Sequence, residues 1–96
     1  MNDIYLEKTR QLVNEFMSGE DAKIYLFGSR ARGDFRRSSD VDIAIEYAGK
    51  SNRIKIDDLR DFLEESTIPY RVDVVDMQFA SENIIKAIRR DGILWN

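Results

Sequence analysis

Apolar residues recur along the chain in two rhythms. Over residues 3–18 they fall at helical spacing, with Tyr5, Leu6, Leu12, Val13, Phe16 and Met17 on one face. Asn2 or Asp3 suits the N-cap of this helix, and Gly19 suits its stop. Residues 23–27 form a short, nearly continuous apolar run, the pattern of a central strand, and Gly28 ends it. Ser29 then suits the N-cap of a short helix reaching about residue 34, with Gly33 limiting its length. Residues 35–39 are polar and read as a loop. From 40 to 47 the period changes to two. Val41, Ile43 and Ile45 alternate with Asp40, Asp42, Ala44 and Glu46, which places both aspartates on one strand face.

The second half repeats these signals. Residues 48–53 read as a loop and as the segment expected to be most mobile. Residues 54–66 form an amphipathic helix with Ile56, Leu59, Phe62 and Leu63 as its buried stripe, and Pro69 bars its extension. Residues 70–76 predict a third strand, with Val72 and Val74 on one face and Arg71, Asp73 and Val75 on the other. Ser81 suits the cap of a last helix to residue 91, with Ile84, Ile85 and Ile88 inward and Gly92 at its end. The apolar tail 93–95 suits a small edge strand.

Strands and helices in alternation make one sheet with helices packed on it. The segment between the first two strands is too short for an easy parallel crossover, so those strands are expected to be antiparallel and the sheet mixed. The expected fold class is α+β, a two-layer α/β arrangement with a small mixed sheet of three or four strands flanked by helices. The 96 residues are read as a single domain, 1–96.

Composition narrows the chemistry. The net charge of −3 gives no bulk attraction to nucleic acid, so no direct nucleic-acid partner is expected. There is no cysteine and no histidine. That removes thiolate metal sites, the commonest zinc ligand and the commonest neutral general base. Catalysis must therefore run on carboxylates, hydroxyls, basic side chains and a hard metal. Residues 1–18 mix charged and apolar positions and do not read as a signal peptide. No apolar run approaches membrane-spanning length, so a cytoplasmic protein is the expectation.

Candidate chemistry gathers between residues 26 and 45. Asp40 and Asp42 share a strand face and stand roughly 6–7 Å apart along it. Both can reach one cation, or two cations a few Å apart. Magnesium takes few carboxylates and fills its shell from water and substrate phosphates. Asp73 is the natural third member if the second and third strands are neighbours. A two-metal arrangement would clamp the attacking and leaving oxygens of a displacement at phosphorus. Taken alone, alternating aspartates favour the solvated face of a half-buried sheet, by about three to one. The preceding turn changes that balance. Gly28 lets the backbone approach a phosphate, the helix start at Ser29 directs free N–H groups at it, and Arg30, Arg32, Arg36 and Arg37 add positive charge.

These residues carry a resemblance. Gly28-Ser29, ten residues, then Asp40-Val41-Asp42 resembles the GS-x10-D-x-D signature of the DNA polymerase beta-like nucleotidyltransferase superfamily. The fuller strings FGSRARG and SDVDIAI are similar to its small prokaryotic branch, the minimal nucleotidyltransferases (MNT). The resemblance runs through Asp73 in VDVV to the ILW tail. It implies a mixed sheet flanked by helices, two Mg²⁺ ions and ATP as the usual nucleotide. Gly28 and Ser29 would hold the triphosphate, and Arg30, directly after them, is nominated as nucleotide-binding with them. Asp40 and Asp42 would bind both metals. Asp73 would bind the catalytic metal and take the acceptor hydroxyl's proton. The family also implies a partner, a HEPN-domain toxin to which the MNT chain is antitoxin, with a toxin tyrosine as acceptor in some pairs. A homodimer or hetero-oligomer would accord with that.

Three expectations follow. The first is a catalytic transfer of AMP from ATP to a hydroxyl. The second is a non-catalytic antitoxin that neutralises its partner by contact. The third is a small-molecule nucleotidyltransferase, for which the chain shows no segment to wall an acceptor pocket. All three aspartates and both turn residues are present, which speaks for the first.

Overall fold

The protein is described here from a computed structural model, which covers residues 3–36 and 38–96. The elements are α1 (Ile4–Phe16), β1 (Ala22–Phe27), α2 (Ser29–Arg32), β2 (Val41–Tyr47), α3 (Arg53–Glu65), β3 (Val72–Asp76), α4 (Glu82–Asp91) and β4 (Ile93–Leu94). The sheet order is β3-β2-β1-β4. β1 runs antiparallel to β2 and to β4, while β2 and β3 are parallel, so the sheet is mixed as expected. β1 and β2 are interior strands, and β3 and β4 are the edges.

Register explains the core. Ile24 faces Ile45, Leu26 faces Ile43, and Ile43 faces Val74 across neighbouring strands. Paired residues share a face, so these side chains form one apolar surface. α1 and α3 cover it with Val13, Met17, Ile56, Leu59 and Leu63, and Trp95 closes the β4 side. The other sheet face is covered in part by α4, where Ile88 packs with Ala44 and Met77 against Tyr25 and Phe27. α4 thus adds a partial layer beyond the two-layer arrangement of α1 and α3 on the sheet.

The caps follow the sequence in most places. The Asp3 carboxylate accepts from the Tyr5 and Leu6 amides and Ser81 accepts from Ile84, as expected, while Asn52, read from sequence as loop, caps α3 by accepting from Lys55. The alternative cap Asn2 lies outside the described residues. Other expectations shift. Tyr5 is exposed and Thr9 is buried in its place, because the true stripe steps through Leu6, Thr9 and Val13. Ile84 is exposed rather than inward. Ser29 is the first residue of α2, and Gly28 is its N-cap. The loop expected to move is fastened at Ser51, which is buried, donates its N–H to Gln78 and its hydroxyl to Asp76.

Candidate active site

The sheet brings the carboxylates together. Asp42 and Asp73 are direct partners on the parallel strands β2 and β3, about 4.8 Å apart at that strand spacing. Both point to the face opposite the main core. Asp40 lies just before β2, and the N–H of the intervening Val41 donates to the Arg71 carbonyl at 2.9 Å. The charges of the other two bear on Asp42. Burial pushes the Asp42 carboxyl above its usual range, and the neighbouring charges of Asp73 and Asp40 push it further, against the pull of Arg32.

The turn closes onto the same place. Phe27 pairs with Asp42, so Gly28 begins directly beside that carboxylate. Gly28 has φ 76° and ψ −157°, a conformation essentially reserved for glycine. A Cβ there would also collide with Asp42 Oδ2. Glycine is therefore required twice, once by the backbone and once by the approach to Asp42. The Gly28 carbonyl accepts from the Ala31 and Arg32 amides, both at 3.1 Å, which closes the single turn of α2 on the glycine. α2 ends at Gly33, in the left-handed region.

The arginines divide their roles. Arg30, nominated from sequence as a nucleotide ligand, has its side chain in the interior, where it is only 1% exposed. Its Nε and Nη2 donate to the Ser39 carbonyl at 3.2 and 3.0 Å, and its Nη1 donates to Asp3 at 3.3 Å. The guanidinium lies 4.1 Å over the Tyr70 ring and 4.8 Å over that of Phe35. Its side chain is thus engaged inside the protein by Ser39, Asp3 and Tyr70. Arg32 is the arginine whose charge reaches Asp42, and it is 41% exposed with bonds to Asp34 and, more loosely, Asp91. Sequence position alone carried no signal for this exchange, because it depends on Tyr70 and Asp3 from distant segments. Arg37 lies outside the described residues.

A model of polymerase beta, nucleotidyltransferase, matches residues 10–95 of the chain. The chain belongs to the polymerase beta nucleotidyltransferase family. The Haemophilus influenzae protein named Probable protein adenylyltransferase MntA is 34% identical over 70 residues, 73% of this chain and 61% of that protein's length. The chain thus spans under two thirds of that relative. A solved structure of a toxin-antitoxin with AMP-PNP shares 28% identity at a TM-score of 0.73, covering 91% of this chain and 72% of that one. The structure of a tri-AMPylated Shewanella oneidensis HEPN toxin in complex with MNT antitoxin contains a chain 26% identical, with a TM-score of 0.68. It covers all of this chain and 72% of that one.

The nucleotidyltransferase donor set suits a hard cation, since every candidate ligand is a carboxylate oxygen. Among the described residues no three acidic side chains enclose a metal site by themselves. The Asp73 carboxylate is held instead by Arg71 Nε at 3.2 Å. A magnesium ion takes only one or two carboxylates and completes its shell from phosphates and water, so the fit holds for a metal that arrives with a nucleotide. No helix among the described residues is long and apolar enough to cross a membrane.

Proposed function

We propose that this nucleotidyltransferase moves AMP from ATP to a hydroxyl, the acceptor being a tyrosine of a HEPN-type toxin for which the chain is the antitoxin. The observation that carries the reading is the register of Asp42 with Asp73 beside the Gly28 turn. The names of the relatives support it: one is a protein adenylyltransferase, and others are complexes with AMP-PNP or with an AMPylated toxin. ATP as donor accords with a cytoplasmic setting.

Asp40, Asp42 and Asp73 would hold the Mg²⁺ ions, two by the family resemblance. Magnesium supplies charge neutralisation for the triphosphate and lowers the pKa of the acceptor hydroxyl. Asp73 takes the proton as the hydroxyl oxygen bonds the α-phosphorus, and the bond from that phosphorus to the bridging oxygen breaks to release pyrophosphate. Ser29 and the backbone of the Gly28 turn hold the β- and γ-phosphates, with Arg32 as the nearest candidate cation. The Asp73 side chain is 41% exposed, which leaves room for an acceptor brought by another protein. α1 and α3 pack the opposite sheet face, so neither walls a small-molecule pocket here.

The test is co-expression with a HEPN protein encoded beside the gene, followed by mass spectrometry of that partner. An adenylyl increment on a partner tyrosine, lost with Asp42→Asn, is the expected result. The activity loss in that variant should exceed about a hundredfold, as for removal of a charge-stabilising group at the reacting centre. An unmodified partner that Asp42→Asn still neutralises fully would favour the non-catalytic antitoxin.

A further inference from the structure

We propose that Arg30 is a positioning residue: together with Asp3 and Tyr70 it sets the separation between the Gly28-Ser29 turn and the Asp40-Asp42 carboxylates. It thereby sets how strongly metal and nucleotide bind as a pair. The inference rests on the nucleotide-site reading above.

α2 is a single turn that rests on the core through Ala31. A second, polar anchor is the Arg30 guanidinium, which sends two N–H groups to the carbonyl of Ser39, the residue just before Asp40. One planar fork therefore bridges the segment that carries Ser29 and the segment that carries Asp40. Asp3 then ties this bridge to two further elements. Its Oδ2 accepts from Arg30 Nη1 at 3.3 Å and from the Tyr70 hydroxyl at 2.5 Å. Tyr70 also supplies the ring face on which the guanidinium rests, and it stands at the entry to the strand that carries Asp73. The segments bearing the phosphate turn, the paired carboxylates and the third carboxylate thus converge on one buried cation.

That convergence matters more for ligand binding than for the fold. The turn and the carboxylates address opposite charges on one ligand, phosphate oxygens and metal. A metal-nucleotide complex binds well only when both sets stand at the right spacing. A displacement of about 1 Å at such a site can cost on the order of a hundredfold in rate. A lysine at position 30 would keep the charge but lose the fork and the flat stacking surface.

The test measures the coupling between metal and nucleotide in the full chain, as the ratio of ATP affinity with saturating Mg²⁺ to that with excess chelator, by calorimetry. Three variants are compared with the wild type below their melting temperatures. Arg30→Lys should lower the ratio about tenfold. Tyr70→Phe keeps the ring but loses the bond to Asp3, and should lower it roughly threefold. Val13→Ala, in the core under the opposite sheet face, should lose thermal stability and keep the wild-type ratio. A strong ratio in the wild type that Arg30→Lys and Tyr70→Phe both retain would overturn the positioning role alone. Equal loss in all three variants would also overturn it, by making the effect one of general stability. A wild type that binds ATP equally with magnesium and with chelator would overturn the nucleotide-site reading and this inference with it.

Discussion

Asp3 and Asp42 are carboxylates moved in opposite directions by their neighbours. Burial raises both. At Asp42 two like charges add to burial and the net shift is upward. At Asp3 the Tyr70 hydroxyl, the Leu6 and Tyr5 amides and the Arg30 charge outweigh burial, and the net shift is downward. A carboxylate lowered in the folded state contributes stability above its unfolded pKa of about 3.9, and that stability is lost as pH falls through the folded value. Asp3→Asn keeps a competent N-cap but gives up the charged bonds. It should cost about 1–2 kcal/mol at pH 7, the scale of a hydrogen bond to a charged group. Thermal melts should show this gap closing as pH drops below the ordinary carboxylate range. A gap that stays constant with pH would mean that the Asp3 charge contributes nothing.

At the scale of elements, the weakest piece of the sheet is β4, only two residues long. Its pairing with β1 covers Tyr25 and Leu26. The chain continues the ladder by other means. The Trp95 amide donates to the Ile24 carbonyl at 2.7 Å. The Asn96 carboxamide then acts as one more peptide group, accepting from the Ile24 amide at 2.9 Å and donating to the Ala22 carbonyl at 2.8 Å. β1 bears Gly28 at its end, so an unsecured β1 edge would loosen the turn as well. Asn96→Ala should speed hydrogen exchange at the Ile24 amide about tenfold, the equivalent of one hydrogen bond, while the Ile43 amide in β2 stays protected. Unchanged exchange at Ile24 would remove Asn96 from the ladder.

For the whole molecule, the decisive feature is the separation of core and site by the sheet. α1 and α3 bury one face, and Asp42 and Asp73 lie on the other, which α4 covers in part. The fold therefore stands without a ligand, and a ligand adds to its stability by mass action. At a hundredfold excess over its dissociation constant, MgATP should contribute about 2.7 kcal/mol, or roughly ten degrees or more in Tm for a domain of this size. Chelator should abolish the shift, because clustered carboxylates repel an unneutralised triphosphate. An equal shift with and without chelator would contradict the carboxylate site as the place of binding.

The periodicity of the chain determined much of this by itself. Alternation in β2 and β3 assigned Asp42 and Asp73 to the polar face before any pairing was known, since side chains on a strand have no other choice. The short span between β1 and β2 required an antiparallel pair. Helical spacing marked α1, α3 and α4, although it misplaced Tyr5 and Ile84, where the pattern leaves the edge of a stripe undefined. Only the tertiary structure decided the rest. Whether Asp73 meets Asp42 depends on strand order and register, which are set by long-range packing. The same holds for the arginines after the turn. Arg30 and Arg32 look interchangeable in sequence, but Asp3 and Tyr70, contributed from 27 residues before and 40 residues after, draw the first into the interior. The second is left beside the carboxylates, because the environment of a charge is made by whatever the fold packs around it.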